Sequence, residues 1–386
     1  MKFFFKIIKW LAIGLASILL LLYLFDVDYL LRAVRTIYFK GHTTAFLEDY
    51  KEFPNRKIEN GAGQPWAIAK DYNTVPATET LEKIHQELQT IAYVIIKNDS
   101  IWHESYFDGF DQNSKSNSFS IAKSIVTMAL GKAIMQGKIK TLDQKVTDFF
   151  PELKGKYAKE VTVGDLSSMA SGLSWDERYY SPFSIVTKAY FHDDLKGVIL
   201  DLEINEKPGQ SFKYLSGATQ LLAMCVEKAT GQYLSDYVSE HFWKPMGAEN
   251  EALWQLDNAP DGIEKAYCCI ASNAKDFARF GKLYLNNGKW NGNQILDSAF
   301  IKKSITPRFS ESPEYGYGWW MHNHLGKALY YMRGHLGQFV IVIPEDELII
   351  VRLGHLKGLQ TASDPHSDDL YVYVEEAYEM LKKRNQ

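Results

Sequence analysis

Apolar and polar positions follow two rhythms along this chain. Near the start of its regular part, "IAYVIIKNDSIWHESYF" (91–107) holds two β-rich runs around Asn98-Asp99, which predicts a hairpin. The spacing then lengthens to a helical period in "SIVTMALGKAIMQGKI" and "GATQLLAMCVEKATG", the second closed by Gly231. "AKDFARFGKLYLNNGKW" predicts another helix running into a turn. Strands return in "YGYGWWM" and "GQFVIVIPEDELIIVRLG", and "DLYVYVEEAYEMLKKRN" predicts a closing helix. Strands at both ends with helices between them predict an α/β (α+β) chain. One mixed sheet would be completed by both terminal segments, and the central stretch would form a largely helical lobe. There is no internal repeat.

The N-terminus follows neither rhythm. After Lys2, Lys6 and Lys9, the 16 residues Trp10–Phe25 carry no charge. A spanning helix needs about 20 apolar residues and a signal-peptide core about 7–15, so the run falls between them. No small-x-small cleavage site follows it, and the chain continues directly into Asp26-Val27-Asp28. The expectation is an uncleaved signal anchor over 1–28. The preceding lysines would hold the N-terminus in the cytoplasm and put the remainder outside the membrane, in the periplasm of a Gram-negative cell. Residues 29–75 read as a juxtamembrane connector, with a short helix in "YLLRAVRTIYFKG" and loop in "FPNRKIENGAGQP". The domain proper would be 76–386.

Composition adds two exclusions. At 46% hydrophobic and 23% charged, with net charge −4, the chain suits a large globular core and has no basic block for nucleic acid. Cys225, Cys268 and Cys269 make no disulfide framework and read as buried thiols.

Candidate chemistry begins at "NSFSIAKSIV" (117–126). A helix starting near Phe119 would set Lys123 one turn above Ser120, with Ile121, Ile125, Met128 and Ala129 facing the core. A serine there also meets the positive end of the helix dipole, which favours an oxyanion. The tetrad alone is weak, because Ser272-Asn273-Ala274-Lys275 fits it too. Two later motifs separate them. "PGQSFKYLSGATQLL" places Tyr214-Leu215-Ser216 at a helix mouth. "MRGHLGQFVIVI" places His335-Leu336-Gly337 at a strand start, with Gly334 and Gly337 leaving room for a substrate backbone. A serine needs a base to become nucleophilic, and a desolvated lysine or a stabilised tyrosinate can serve. No Tyr-x-Ser lies between Ser272 and His335, so Ser272 reads as the decoy.

In the order Ser-x-x-Lys, Tyr-x-Ser, His-x-Gly, the chain resembles serine hydrolases of the class C β-lactamase and penicillin-binding family. It is most similar to the esterase and 6-aminohexanoate-dimer hydrolase branch, over roughly residues 75–383. "VTVGDLSSMASGLSWDE" (161–177) and "ASNAKDFARFGKLYLNNGKWNG" share in the likeness. The resemblance implies a β-lactamase/transpeptidase-like fold, a mixed antiparallel sheet flanked by helices. Ser120 would form an acyl-enzyme, and Lys123 would polarise it and stabilise a tyrosinate. Tyr214 would be the general base and would return the proton. The N–H groups of Ser120 and Gln338 would form the oxyanion hole. Tyr179 would hold a leaving amine, with Tyr180 as the alternative, and Ser216, His335 and Gly337 would contact substrate. No cofactor is implied. His335 in place of lysine and Ser216 in place of asparagine weigh against β-lactam turnover.

Other signals are plainer. His322-x-His324 reads as exposed loop histidines, the "DERYY" charges as a solvated loop, and "YGYGWWM" equally as cleft or core. The expected function is a membrane-anchored hydrolase of a small ester, amide or peptide. The alternatives are a D-alanyl-D-alanine peptidase or β-lactamase, and a non-catalytic module binding peptidoglycan or a partner.

Overall fold

The computed structural model describes residues 1–361 and 363–384. Helix α1 (Lys2–Leu24) has 23 residues, a mean hydropathy of 2.3 and no buried side chain. At about 1.5 Å per residue it reaches roughly 35 Å, enough to cross a hydrocarbon core of about 30 Å. Helix α2 (Tyr29–Thr36) follows and packs on the body of the protein.

The main sheet has seven strands. The hairpin expected at Asn98-Asp99 is present as Thr90–Lys97 (β3) and Ser100–Tyr106 (β4). Both turn residues have positive φ, 49° and 63°, as a tight two-residue hairpin needs. The late strands are Trp320–His324 (β8), Lys327–Gly334 (β9), Gln338–Ile343 (β10) and Leu348–Gly354 (β11), each antiparallel to the next. Strand β11 pairs with β3, so the two ends of the chain complete one sheet. The short strand Ala67–Ile68 (β2) closes the far edge parallel to β4, giving the order β8-β9-β10-β11-β3-β4-β2.

Both faces of the sheet are covered, so its inner strands are largely apolar on both faces, with Arg352 and Gln338 as buried exceptions. Tyr93, Ile95, Phe339 and Ile341 lie against helices Glu79–Glu87 (α3) and Asp368–Arg384 (α8). Val94, Ile96, Val340 and Val342 share the other core with helices Ile121–Met135 (α4) and Ala274–Leu285 (α7). Helices Ile185–Phe191 (α5) and Ser216–Thr230 (α6) belong to the helical lobe. Helix α4 is buried nearly all round, polar Ser124 and Thr127 included, and not along one stripe. It sits between sheet and lobe and has no solvent face.

A second sheet escaped the sequence reading because its strands are only two to four residues long. Its order is Asn55–Ile58 (β1), Ala252–Gln255 (β6), Ile270–Ser272 (β7) and Ser116–Asn117 (β5). It joins the 29–75 segment to the strand just before Ser120. That segment is therefore not a loose tether. Its Asp49 is fully buried and accepts hydrogen bonds from Asn117 Nδ2 (2.9 Å), Gln255 Nε2 (2.8 Å) and Tyr190 Oη (2.6 Å).

Candidate active site

Ser120 stands where a strained loop becomes α4. The residue before it, Phe119, has φ of 46°, a conformation that costs a bulky side chain free energy. Neighbouring bonds hold it there. Asn117 Oδ1 accepts from the Phe119 N–H at 2.9 Å, and Ser118 exchanges bonds with Ile270 at 2.7 and 3.1 Å. Asn117 is in turn fixed by Asp49. Ser120 itself makes no side-chain capping bond, which leaves its hydroxyl to Lys123. Among the described residues its N–H donates to no acceptor.

Lys123 is buried, and its Nζ lies 2.8 Å from Ser120 Oγ and 2.6 Å from the Tyr267 carbonyl. Burial pulls its pKa down to about 8, against the opposing pull of the Glu177 carboxylate. Tyr214 lies just before α6 with its ring 5.2 Å from Lys123 Nζ, packed on Trp320 and edge-on to Tyr315. Burial raises its phenol pKa, and the Ser120 hydroxyl offsets part of that rise. The structure thus brings Ser120, Lys123 and Tyr214 together and leaves the lysine as the readily neutral partner.

Glu177 is a site residue that the sequence reading placed in a solvated loop. It accepts from Trp175 Nε1 at 2.9 Å, from Ser216 Oγ at 3.1 Å, and from the Ser216 N–H and Tyr179 hydroxyl. Four donors converge on one carboxylate beside Ser120. The Ser216 hydroxyl and the Tyr179 hydroxyl are therefore directed at Glu177. A usable signal was present: Trp175 and Glu177 lie two apart, just before Tyr179.

His335 lines the cleft opposite. Its ring stacks on Tyr179 at 5.5 Å and meets Phe119 edge-on at 5.6 Å. Burial, reinforced by the positive charges of Lys357 and Arg333, lowers its pKa to about 4, so it stays neutral well below pH 7. The Gln338 side chain ties this corner to β11, donating to His335 O at 3.0 Å and Gly354 O at 2.7 Å. Gly334 is required for a reason other than substrate room: a Cβ there would collide with the Ser118 carbonyl. The glycine lets β9 approach the loop before Ser120. Gly337 has φ of 79°, which favours glycine.

The remaining expectations separate cleanly. Ser272 is buried at the end of β7, and Lys275 points away to Glu104 at 3.0 Å and Gln112 at 2.6 Å. "YGYGWWM" is both core and cleft: Trp319 packs on Tyr284, while Trp320 lines the site. His322 and His324 are on β8 and not in an exposed loop; His324 Nε2 meets Glu375 at 2.9 Å. Cys225 is a buried thiol, but Cys268 and Cys269 are joined as a vicinal disulfide, where free thiols were expected. Adjacent cysteines carry no loop-spacing signal, so the sequence did not suggest the bond.

Two recesses meet at Ser120, Tyr179 and His335. One runs between α2 and α5 and is walled by Ala33, Ile37, Phe119, Val186 and Phe191. The other carries the charged and polar side chains Glu177, Tyr214, Arg333 and Lys357.

The protein is 24% identical over 315 residues to the 6-aminohexanoate-dimer hydrolase of Paenarthrobacter ureafaciens, covering 73% of this chain and 78% of that one. The solved structure named "Putative 6-aminohexanoate-dimer hydrolase from Bacillus anthracis" shares the fold. Its TM-score is 0.70 at 22% identity, over 86% of this chain and 92% of that one. A penicillin binding protein from Bacillus halodurans also shares it, with a TM-score of 0.61 at 16% identity over 78% and 99% of the two chains. Residues 68–371, most of the chain, match the Beta-lactamase family, and the protein belongs to that family of serine hydrolases.

Proposed function

We propose that the protein is a membrane-anchored, extracytoplasmic hydrolase that cleaves an ester or amide through an acyl-enzyme on Ser120. The observation that carries the reading is the buried Lys123 amine, 2.8 Å from Ser120 Oγ with a pKa near 8. A neutral Lys123 donates to the Tyr267 carbonyl and keeps its lone pair for the serine proton. Ser120 Oγ attacks the carbonyl carbon as that proton moves to Lys123. The N–H groups of Ser120 and Gln338 receive the oxyanion. The bond to the leaving group then breaks, and Tyr214 donates its proton there while Lys123 reprotonates it. Water repeats the sequence in reverse roles and releases the acid. Tyr214 here is a neutral relay, because burial disfavours the tyrosinate. This differs from the general-base role that the sequence resemblance implied. The name of the Paenarthrobacter relative favours a linear amide among the substrate classes.

The lysines before α1 favour an N-terminus on the cytoplasmic side and a catalytic domain outside. A second reading, a D-alanyl-D-alanine peptidase, draws on Arg333 and Lys357, which put positive charge beside the cleft where His335 has none. Labelling by a fluorophosphonate, lost in Ser120→Ala, tests the first reading. Release of D-alanine from a D-alanyl-D-alanine peptide faster than hydrolysis of any neutral ester would establish the second.

A further inference from the structure

The apolar recess is built in part by the segment that follows α1. Its outer wall is α2 and the stretch 37–45, the first residues after the apolar helix α1. Its inner wall is α5 and the loop 179–182. The two walls are fastened together at the membrane end. Asp26, directly after α1, pairs with His192 at 3.0 Å and with Lys188 of α5, and Tyr29 Oη donates to Pro182 O at 3.3 Å. The recess therefore lies where the chain would leave a bilayer, and it runs from there to Ser120.

Its surroundings are also apolar and exposed. Phe39, Phe183 and Tyr180 are 79%, 73% and 70% exposed, and all three belong to the segments that line the recess or adjoin them. Large apolar side chains left in water mark an interaction surface, and next to a spanning helix the matching surface is lipid.

The opposite recess fixes which part of a substrate goes where. Tyr214 lines the polar side and not the apolar side, so the group it protonates leaves into the polar side. Arg333 and Lys357 stand there, and among the described residues neither forms an ion pair. The acyl part of the substrate must then extend the other way.

We infer that the substrate is an amphiphile from the membrane: a long, unbranched acyl chain held in the apolar recess, esterified or amidated to a polar, anionic leaving group held by Arg333 and Lys357. The inference rests on Ser120 as nucleophile and on α1 as a membrane anchor. Attack by Ser120 transfers the acyl chain to the serine and expels the protonated head into the polar recess. Water then releases the fatty acid, which returns to the lipid phase.

The test uses the full chain in phosphatidylcholine vesicles. Aryl esters with one nitrophenol leaving group and acyl chains from acetate to decanoate are compared, then repeated with a sulfonated nitrophenol. We expect kcat/KM to rise about threefold to fourfold per added methylene until the recess is full. The sulfonated series should be the faster one, and Arg333→Ala should remove that preference. Val186→Trp and Ala33→Phe, which fill the recess, should lower the decanoate-to-acetate ratio at least tenfold. The wild-type profile keeps the test open if these variants fail to fold. A flat or falling profile in protein that a fluorophosphonate still labels at Ser120 overturns this inference and leaves the hydrolase reading intact. Absence of both labelling and ester turnover defeats the hydrolase reading, and this inference with it.

Discussion

If Lys123 is the base, the acid limb of the pH profile belongs to it. A pKa of about 8 makes about a tenth of the amine neutral at pH 7 and about nine-tenths at pH 9, so kcat/KM should rise about tenfold between them. Glu177 is the charge that holds this pKa up. Glu177→Gln removes a negative charge that favours the ammonium, so the limb must move to lower pH, by about one unit for a near carboxylate. At pH 7 the neutral share would then approach about one half. The plateau should fall in the same variant, because a glutamine has one acceptor oxygen for the four donors now gathered on Glu177. The position of the limb is the readout, and its height is not. The assay is kcat/KM on a short aryl ester from pH 6 to 10, normalised to sites titrated with fluorophosphonate. A limb displaced upward in Glu177→Gln would refute the reasoning. So would a wild-type limb still climbing above pH 10, which would hand the base role back to Tyr214.

Ser120→Ala should abolish covalent labelling with the fold intact by circular dichroism, whereas Ser272→Ala should label normally, since Ser272 is buried away from the cleft. Lys123→Ala and Tyr214→Phe should each lower kcat at least about 10²-fold, and the double variant should cost little more than either, as expected for one proton path; multiplicative losses would contradict it. Between pH 7.5 and 6, turnover of an anionic cephalosporin should gain nothing from His335, whose pKa of about 4 lies outside that window. His335→Lys should raise the cephalosporin-to-ester ratio about tenfold, the effect of one charge-assisted hydrogen bond. A chain starting at Asp28 should be soluble and labelled, while one starting at Pro76 should lose labelling with Asp49; full labelling of the shorter chain would show that the segment is dispensable.

What could be read from the sequence was whatever period or motif makes redundant. The hairpin at Asn98-Asp99, the helices ending at Met135 and Thr230, and the strands of 338–354 each rest on many residues agreeing, and each lies where the pattern put it. The motifs carrying Ser120, Lys123 and Tyr214 did converge in one cleft. Single residues acting through burial were illegible. Asp49 sits in "FLEDYKEF", which reads as surface, yet burial and three side-chain donors make it a core residue. Glu177 sits among like-looking charges in "DERYY", and only the fold reveals that α6 delivers Ser216 to it. Protonation states were equally hidden, since the lowered pKa values of Lys123 and His335 come mainly from burial by residues distant in sequence.

These hidden residues also join the segment after α1 to the loop before Ser120. The strained Phe119 before Ser120 is held by Asn117, Asn117 by Asp49, and Asp49 lies on the segment leading from α1. Tyr190 donates to the same Asp49 and lines the apolar recess, so the recess wall and the nucleophile loop share one carboxylate. Burial raises the Asp49 pKa while its three donors lower it, a balance that holds only with every partner in place. The segment that follows α1 thus sets the geometry of Ser120 and the opening of the recess beside it, and in the proposed membrane-anchored protein the same segment would fix the distance of the site from the bilayer.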